Sequence, residues 1–352
     1  MREFVHVGQP ARVVFGAGSL RHLPRELELF GARRALVLST PGHSAAAEGL
    51  VRDLGGRAAG VFARALMHVP LEMAREARTQ AARLHADCLV ALGGGSTTGL
   101  AKAIALESGV PIIAVPTTYA GSEVTPIYGL TEGGVKRTGR DARVLPRVVI
   151  YDPELTLDLP LRLSITSGMN AIAHAAEGLY ARDGNPLTEL LAEEAIRCVA
   201  GALPSLHASP RDLAARTQAL YGAWLCGTVL GTVGMALHHK LCHTLGGSFA
   251  LPHAEVHAVV LPHAIEYNAA AAPQALSALA RALRSEAPAR ALYALARTHG
   301  APYSLRELGM RAADLDRAAE LASADPYWNP RPIERSAVRT LLQHAWEGTP
   351  PG

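Results

Sequence analysis

Histidines are the residues of this sequence whose number and spacing suggest chemistry most directly. The 352-residue chain has 15 of them, and six lie within one stretch of 26 residues. An even distribution would place about one histidine in such a stretch. Imidazole binds metal ions and exchanges protons near neutral pH, so the cluster indicates a metal site or a proton-transfer site. Its members are His238, His239, His243, His253, His257 and His263.

Two spacings place candidate side chains on shared helix faces. His239 and His243 are four residues apart, as are Asn170 and His174 in the earlier segment SGMNAIAHAAEG. Residues at i and i+4 lie on one side of a helix, one turn apart. His253 follows an expected loop, from which it can fold back onto the first pair. We therefore predict a catalytic site between helices, built from these five residues.

A single helical histidine is more often a packed or surface residue than a functional one. Several histidines on apolar helix faces favour a functional site, because each buried imidazole needs a hydrogen-bond partner. We interpret His238, His257 and His263 as a group that includes bystanders, that is, packed or surface residues without a catalytic role.

A glycine-rich segment, DCLVALGGGSTTGLAK at residues 87–102, follows an apolar run. Gly93–Gly95 end the expected strand, and Ser96 opens a helix. Glycines allow a tight turn and a close approach of backbone to ligand, and a helix N-terminus suits a pyrophosphate. The spacing matches neither GxGxxG nor a P-loop. The alternative is a plain strand–helix turn with Ser96 as the helix cap.

A second polar segment, PTTYAGSEVTP at residues 116–126, follows another apolar run. Its hydroxyls and Gly121 could contact ribose, phosphate or nicotinamide, and the alternative is a polar capping loop. The two segments and the end of the second expected strand predict a dinucleotide site. Its candidate residues are Thr40, Gly93, Gly94, Gly95, Ser96, Thr97, Thr98, Thr117, Thr118 and Ser122.

The residues that end the second strand bear on the choice of cofactor. In dinucleotide folds an acid there binds the ribose 2′-hydroxyl and repels a 2′-phosphate. This chain has Ser39 and Thr40 instead, and neither repels phosphate. We therefore expect both NADH and NADPH as cofactors.

Alternating strands and helices must position the glycine-rich segment. The expected strands cover residues 12–15, 35–38, 88–92, 112–115 and 148–151, with helices such as 71–84 and 99–107 between them. This order predicts a parallel, doubly wound, Rossmann-like sheet, which binds ligands at the carboxyl ends of its strands. We assign residues 1–157 to an NAD(P)-binding α/β domain.

The rest of the chain is rich in alanine and leucine and has almost no strand signal. The expected helices are 167–182, 186–203, 210–226, 229–245, 273–283, 288–299, 311–322 and 335–346. We assign residues 158–352 to an all-helical catalytic domain.

Composition excludes several classes of protein. The chain is 49% hydrophobic and 18% charged, which favours a large core over disorder. A net charge of +3, no basic block and 5% aromatic residues argue against a nucleic-acid partner. Four scattered cysteines favour a reducing compartment. The N-terminus lacks the apolar core of a signal peptide, and the longest apolar run is too short to cross a membrane. We expect a cytoplasmic protein without a membrane partner.

Together these segments resemble the iron-containing alcohol dehydrogenase superfamily over nearly the whole chain. The resemblance rests on VFGAG at 14–18, the GGGS turn, PTTYAGSEVT at 116–125, Asp152-Pro153, GMNAIAHAAE at 168–177, HHKLCH at 238–243 and the Pro-His at 252–253. Within it the chain is most similar to the maleylacetate reductases, through GGGSTTGLAKAIAL, PTTYAGSEVTPIYGLTEGGVKRTG, HHKLCHTLGG and YWNPRPI.

The resemblance implies an active site in the cleft between the two domains, and a homodimer. Metal-dependent members bind Fe(II) or Zn through one Asp and three His, which correspond to Asn170 and to His174, His239 and His253. A further histidine near the nicotinamide corresponds to His243. An amide carries no net charge, so these donors would leave a divalent cation uncompensated. We therefore predict no bound metal, with weak ligation through the Asn170 oxygen as the alternative.

The implied reaction is NAD(P)H-dependent reduction of the C=C bond of maleylacetate to 3-oxoadipate, in aromatic compound degradation. Hydride addition to the conjugated alkene gives a delocalised enolate, which hydrogen-bond donors could stabilise. The resemblance favours His243 as the proton donor. A small dicarboxylate substrate needs cations, and the sequence does not choose among Lys136, Arg137, Arg162 and Lys240.

Three other functions are weighed against this one. The first is a metal-dependent alcohol dehydrogenase acting on a small alcohol or aldehyde, and the second is a lyase of the dehydroquinate synthase type. Asn170 argues against both, because both need an acidic metal ligand. The third is a non-catalytic binding protein, which the five polar candidates beside a cofactor segment disfavour.

Overall fold

A computed structural model describes residues 12–133, 135–324 and 327–352, together with residues 4, 6 and 8. The chain divides into two compact units, an α/β unit from Gly8 to Leu159 and a helical unit from Pro160 to Gly352. The sequence-based boundary lies after residue 157.

The α/β unit contains eight strands among its described residues. They are β1 (Arg12–Phe15), β2 (Ala35–Leu38), β3 (Ala58–Phe62), β4 (Cys88–Gly93), β5 (Ile112–Pro116), β6 (Ile127–Glu132), β7 (Val135–Arg140) and β8 (Val148–Tyr151). Six form one parallel sheet in the order β1-β8-β5-β4-β2-β3, and β6 and β7 form an antiparallel hairpin. The five expected strands are confirmed to within one residue, whereas β3 and the hairpin were not predicted.

Helices cover both faces of the parallel sheet, which explains its uninterrupted apolar strands. Ala35 and Val37 face a core shared with α1 (Leu23–Leu29) and α2 (Ser44–Leu54). Leu36 and Leu38 face the opposite core, shared with α3 (Leu71–Arg83) and α4 (Gly95–Ser108). Neighbouring side chains on a strand point to opposite faces, so every position of β2 is buried.

The described residues of the helical unit form α5 (Leu161–Gly178), α6 (Pro186–Ala208), α7 (Leu213–Thr232), α8 (Leu237–Phe249), α9 (His253–Asn268), α10 (Pro273–Leu283), α11 (Pro288–Thr298), α12 (Leu315–Ser323) and α13 (Arg335–Glu347). One apolar core joins α8, α9, α12 and α13 through side chains such as Leu241, Val260 and Leu342. The expectation of an all-helical second half is confirmed.

Several helix boundaries differ from the sequence-based expectation, and those of α5, α8 and α9 affect the site. Helix α5 covers Leu161–Gly178 instead of residues 167–182. The break between α7 and α8 lies at residues 233–236, not at 227–228. The carboxylate of Glu177 accepts the backbone N–H of Ala236 and His238, and Asp183 accepts that of Gly234. These long-range caps determine where α8 begins. α9 was not predicted as a helix at all.

In the part of the chain that the structure describes, no single helix has both the length and the hydropathy needed to cross a bilayer. Helices α7 and α8 meet both conditions only as a pair, and the pair is bent by 95° at its break.

Candidate active site

The helical unit brings the predicted imidazoles together. Asn170 and His174 lie on α5, His239 and His243 on α8, and His253 is the first residue of α9. The ring centroids of His174 and His239 are 5.1 Å apart, those of His239 and His243 6.2 Å, and those of His243 and His253 6.4 Å. The expectation that His253 follows a loop and faces α8 is met, although the residue itself begins a helix.

Two histidines of the group interpreted as including bystanders, His238 and His257, pack directly against the predicted residues. The His257 ring lies 4.5 Å from the His253 ring and 5.1 Å from the His239 ring. His238 is adjacent, with its ring 4.9 Å from that of His257. His257 lies one helical turn after His253 because α9 continues the helix that starts there, whereas His238 directly precedes His239 on α8. His263 interacts instead with His344.

The position of the α8 histidines is determined by Glu177, which the sequence analysis did not single out. Its carboxylate is fully buried and receives the His238 N–H at 2.7 Å and the Ala236 N–H at 2.9 Å. It also lies 2.7 Å from Nδ1 of His239. The signal was present in sequence, since Glu177 follows His174 by three residues and shares its helix face.

The Glu177–His239 contact determines which ring nitrogen faces the site. A carboxylate only accepts hydrogen bonds, so Nδ1 of His239 carries the proton it donates. Nε2 is then the free end of the ring: an acceptor in the neutral form, and a donor when the ring is protonated. This atom is buried without a hydrogen-bond partner, as is Oδ1 of Asn170. Both are available to a bound ligand.

Behind these residues lies a hydrogen-bonded trio of His238, Cys242 and His257. Nε2 of His238 is 3.0 Å from Nδ1 of His257 and 3.6 Å from Sγ of Cys242. Burial is the main cause that lowers the pKa of both histidines well below the usual value and raises that of the thiol. The trio is therefore an uncharged layer at neutral pH.

His174 is also neutral at neutral pH. Its burial, followed by the nearby His239 and His253, holds its pKa well below the usual histidine value. His174 therefore interacts with a substrate as a neutral ring, through hydrogen bonds.

The family's metal can be tested against these donors. The residues at the ligand positions provide one amide oxygen and three imidazoles, with no carboxylate among them. Among the described residues, one trio has its ligand atoms within 4.8 Å of one another, and it is His238, Cys242 and His257. That trio is already joined by hydrogen bonds. The predicted donors thus bring no negative charge of their own to a divalent cation.

The candidate cofactor residues gather at one edge of the parallel sheet. Thr40 follows β2, the glycine turn follows β4, and Thr117 follows β5. These three strands are adjacent and parallel, so their carboxyl ends lie side by side. The prediction that Thr40 and the two polar segments share one region is supported by this register.

Two of the three glycines of the turn, Gly93 and Gly94, are required by close packing. A Cβ on Gly93, whose φ is +151°, would lie 2.5 Å from Oγ1 of Thr97. A Cβ on Gly94 would lie 2.8 Å from two atoms of Thr118. The turn and the segment after β5 are therefore in direct contact, and no larger residue fits between them.

The helix cap differs from the alternative considered for Ser96. Helix α4 begins at Gly95 with Gly94 as its cap residue, and no side chain caps it. Ser96 lies inside the first turn, next to the buried Thr97 and Thr98. A helix N-terminus without a side-chain cap is the arrangement in which backbone N–H groups bind phosphate.

Ser122 and Thr40 each make a hydrogen bond inside the protein. The carbonyl oxygen of Ser122 accepts a hydrogen bond from Lys102, and Oγ1 of Thr40 lies 3.1 Å from Nδ1 of His43. The Thr40 side chain, which follows β2, therefore contacts a histidine and not a carboxylate.

The candidate cations differ in what they contact. Arg162 lies 4.0 Å from Glu255, and the Lys240 ammonium is 5.5 Å from the centre of the Tyr327 ring. Arg137 is exposed on β7. The side chain of Lys136 lies outside the described part of the chain.

Comparison with known proteins assigns both halves of the chain to one family. The iron-containing alcohol dehydrogenase model matches residues 10–153, and the C-terminal model of the same family matches residues 164–346. A maleylacetate reductase from Burkholderia cepacia is 63% identical over 351 residues, covering all of both chains.

Two solved structures are similar over the full length of both chains. A putative alcohol dehydrogenase from Ralstonia eutropha JMP134 has a TM-score of 0.99 at 63% identity. A maleylacetate reductase from Agrobacterium tumefaciens has a TM-score of 0.97 at 57% identity. The chain therefore belongs to the iron-containing alcohol dehydrogenase family, within its maleylacetate reductase branch, and is an NAD(P)H-dependent oxidoreductase.

Proposed function

We propose that this protein reduces the C=C bond of maleylacetate to give 3-oxoadipate, with hydride from NADH or NADPH. The observation that carries the proposal is the composition of the imidazole cluster. It keeps the three histidines of the family's site but has an amide, Asn170, at the position of the acid. The names of the full-length relatives support the same substrate.

The proposed reaction balances with one hydride and one proton. Hydride leaves the nicotinamide and bonds to the alkene carbon β to the ketone. The C=C electron pair shifts to form an enolate, with its charge on the former ketone oxygen. Protonation of the α carbon then restores the ketone and completes the C–H bond. NAD(P)⁺ and 3-oxoadipate are the products.

The residues of the cluster support this chemistry through hydrogen bonding and proton transfer. We assign His243 as the proton donor, because it is the exposed member of the cluster and can be reprotonated from solvent. Asn170 and His239 present unpartnered polar atoms suited to the enolate oxygen or a substrate carboxylate. His174 and His253 complete the polar shell around them.

The proton-donor role is tested with His243→Asn. A lost general acid reduces kcat by roughly 100-fold or more, while the Kd for NADH should be unchanged. His207→Asn, at an exposed histidine of α6, is the matched control and should retain full activity. A His243→Asn enzyme with normal kcat would remove His243 from the mechanism.

We propose further that the reaction does not depend on a bound metal. The enolate's charge is shared between the oxygen and the α carbon, so it needs less local stabilisation than the alkoxide of an alcohol dehydrogenase. Metal analysis of protein purified without added metal should find less than stoichiometric Fe and Zn, and a chelator should leave activity intact. Stoichiometric metal, with activity lost to chelator and restored by metal, would overturn this proposal.

The substrate is tested by following nicotinamide absorbance with maleylacetate and then with small alcohols and aldehydes. We expect oxidation of NADH and of NADPH with maleylacetate and no comparable rate with the others. Turnover of a small alcohol alone would favour the metal-dependent alcohol dehydrogenase function. A large kinetic preference for NADH would contradict the part of the proposal that rests on Thr40.

We also propose a homodimer that uses β1, which lies at one edge of the parallel sheet. An edge strand leaves backbone groups available for pairing with a second chain. Light scattering should give twice the chain mass, and Val13→Pro should shift the species toward monomer. A wild-type monomer would contradict the proposal.

A further inference from the structure

Lys102 is a buried cation to which the sequence motifs assign no role. Only three of the chain's 34 basic residues are lysines, so the sequence uses arginine at almost every other cationic position. Lys102 lies on α4, two turns after the glycine turn, and none of its side chain is exposed. A lysine is almost never buried to this extent unless it is paired.

Four oxygen atoms surround the Lys102 ammonium. Nζ lies 2.7 Å from each of the carbonyl oxygens of Ser122, Thr125 and Ile127, and 3.0 Å from Oγ1 of Thr125. All four belong to the stretch that follows β5. This compact shell suits an ammonium, whereas the planar fork of arginine requires acceptors spread over a wider surface.

The oxygen shell is also linked internally. The hydroxyl of Thr125 donates to the Ser122 carbonyl at 3.2 Å and accepts the Ile127 N–H at 3.3 Å. Burial lowers the pKa of Lys102 to about 7, and the charge of Glu123 opposes that shift. Glu123 is itself buried and receives a hydrogen bond from Tyr151 at 2.9 Å.

Lys102 attaches α4 to the stretch after β5. A separate close contact joins Gly94, the cap residue of α4, to Thr118 at the start of that stretch. One attachment thus lies at the phosphate-binding turn, and the second lies two helical turns further along α4. The candidate cofactor residues Thr117, Thr118 and Ser122 lie next to one of these two attachments.

We infer that Lys102 is a positioning residue of the dinucleotide site. Its ammonium holds the segment from Pro116 to Ile127 against α4, so that Thr117, Thr118 and Ser122 face the cofactor in one conformation. Lys102 acts through backbone oxygens and does not itself contact the cofactor. The inference rests on the assignment of this segment to cofactor binding in the proposed function.

The first test measures NADH binding directly by fluorescence titration, without maleylacetate. Lys102→Ala should raise the Kd for NADH at least tenfold. The matched control is Ile104→Ala, which removes a fully buried side chain of the same helix from the core that α4 shares with α3 and the sheet. It should lower the melting temperature while leaving the Kd within about twofold of the wild-type value.

Chemical rescue separates positioning from a general loss of stability. Propylammonium replaces the atoms that Lys102→Ala removes, so it should restore NADH binding to that variant in a saturable manner. 1-Propanol, which has the same length but no charge, should not, and neither compound should affect Ile104→Ala. An unchanged Kd in Lys102→Ala, equal effects of the two compounds, or an equal rise of the Kd in Ile104→Ala would overturn the inference.

A milder pair of variants keeps the inference testable if Lys102→Ala does not fold. Thr125→Val removes one acceptor of the ammonium at nearly constant volume, and Thr125→Ser retains it. Thr125→Val should increase amide hydrogen exchange in the peptides covering residues 116–127 and raise the Kd for NADH severalfold, while Thr125→Ser should resemble wild type. Equal exchange in the two variants would contradict the inference. A wild-type protein that binds no NADH would contradict the proposed function instead, while the exchange comparison would still test Lys102.

Discussion

Each of the two units of this protein contains a buried, charge-bearing side chain that joins two elements through backbone groups. In the α/β unit, Lys102 donates to three carbonyl oxygens and a hydroxyl of the segment after β5. In the helical unit, Glu177 accepts from N–H groups at the start of α8. Each arrangement supplies the hydrogen bonds that a buried charge requires.

The two differ in what else they contact. Glu177 also reaches the ring of His239, one of the residues assigned to chemistry, whereas the hydrogen bonds described for the Lys102 ammonium go to the segment that it positions. Loss of Glu177 should therefore change both position and proton arrangement and reduce kcat. Loss of Lys102 should change position alone and weaken cofactor binding. The predictions below test this distinction.

The largest effect is expected for Glu177→Gln. A glutamine has one acceptor oxygen, so its amide group would face either the His238 N–H or the Ala236 N–H and the His239 ring. We expect kcat to fall about 100-fold, with the Kd for NADH unchanged. Glu193→Gln, at an exposed ion pair with Arg281, is the control for the loss of a glutamate charge. If Glu177→Gln weakened NADH binding as much as Lys102→Ala, the distinction between the two would not hold.

Asn170→Asp adds a carboxylate on the same helix face as His174, at the position where the family's metal-dependent members have an acid. The added charge should make a divalent cation favourable, and we expect Zn²⁺ or Fe²⁺ to bind at least about 100-fold more tightly than to wild type. Isothermal titration with each metal measures this change. Asn185→Asp, at the cap of α6, adds the same charge elsewhere and should not bind metal. Equal metal affinity in Asn170→Asp and wild type would contradict the charge argument.

Tyr151→Phe removes the hydrogen bond that Glu123 receives near Lys102. Burial raises the pKa of Glu123, and the tyrosine hydroxyl is one of the groups that oppose this shift. The free energy of unfolding of the variant, measured in urea, should be about 2 kcal/mol lower than that of wild type. Tyr303→Phe, on the exposed side of the helical unit, should change it by less than about 0.5 kcal/mol. If Tyr151→Phe were as stable as wild type, the hydrogen bond from Tyr151 to the Glu123 carboxyl would not contribute to stability.

His263 shows what happens to a buried titratable group without such a shell. Burial, followed by His344, lowers its pKa to about 4. Between pH 6.5 and 4 the unfolded chain binds the proton that the folded chain excludes, so stability falls as pH decreases through this window. His263 should account for roughly 1.5 kcal/mol of the loss between pH 8 and pH 5.5.

The corresponding measurement is urea unfolding of wild type and His263→Asn at both pH values. The variant should lose less stability on acidification, whereas His207→Asn, at an exposed position, should lose as much as wild type. Parallel losses in His263→Asn and wild type would contradict the lowered pKa.

Much of the α/β unit was predictable because its signals are local. Strands buried on both faces are uninterrupted apolar runs, and glycines mark the turn after β4. The short β3 and the hairpin of β6 and β7 lack these signals. In the helical unit, the spacing of Asn170 with His174 and of His239 with His243 placed each pair on one helix face. Spacing alone could not show which helix faces pack together.

The sequence by itself determined the two-part fold, the glycine turn and the five polar residues of the predicted catalytic site, because these depend on residue types at short spacings. Only the tertiary structure decided the start of α8, the membership of His238 and His257 in the cluster, and the parts played by Glu177 and Lys102. A buried charge acquires its function from partners that are distant in sequence: Glu177 contacts residues about 60 positions away, and Lys102 residues 20 to 25 positions away. No local pattern records such pairings, since they exist only after the elements have packed.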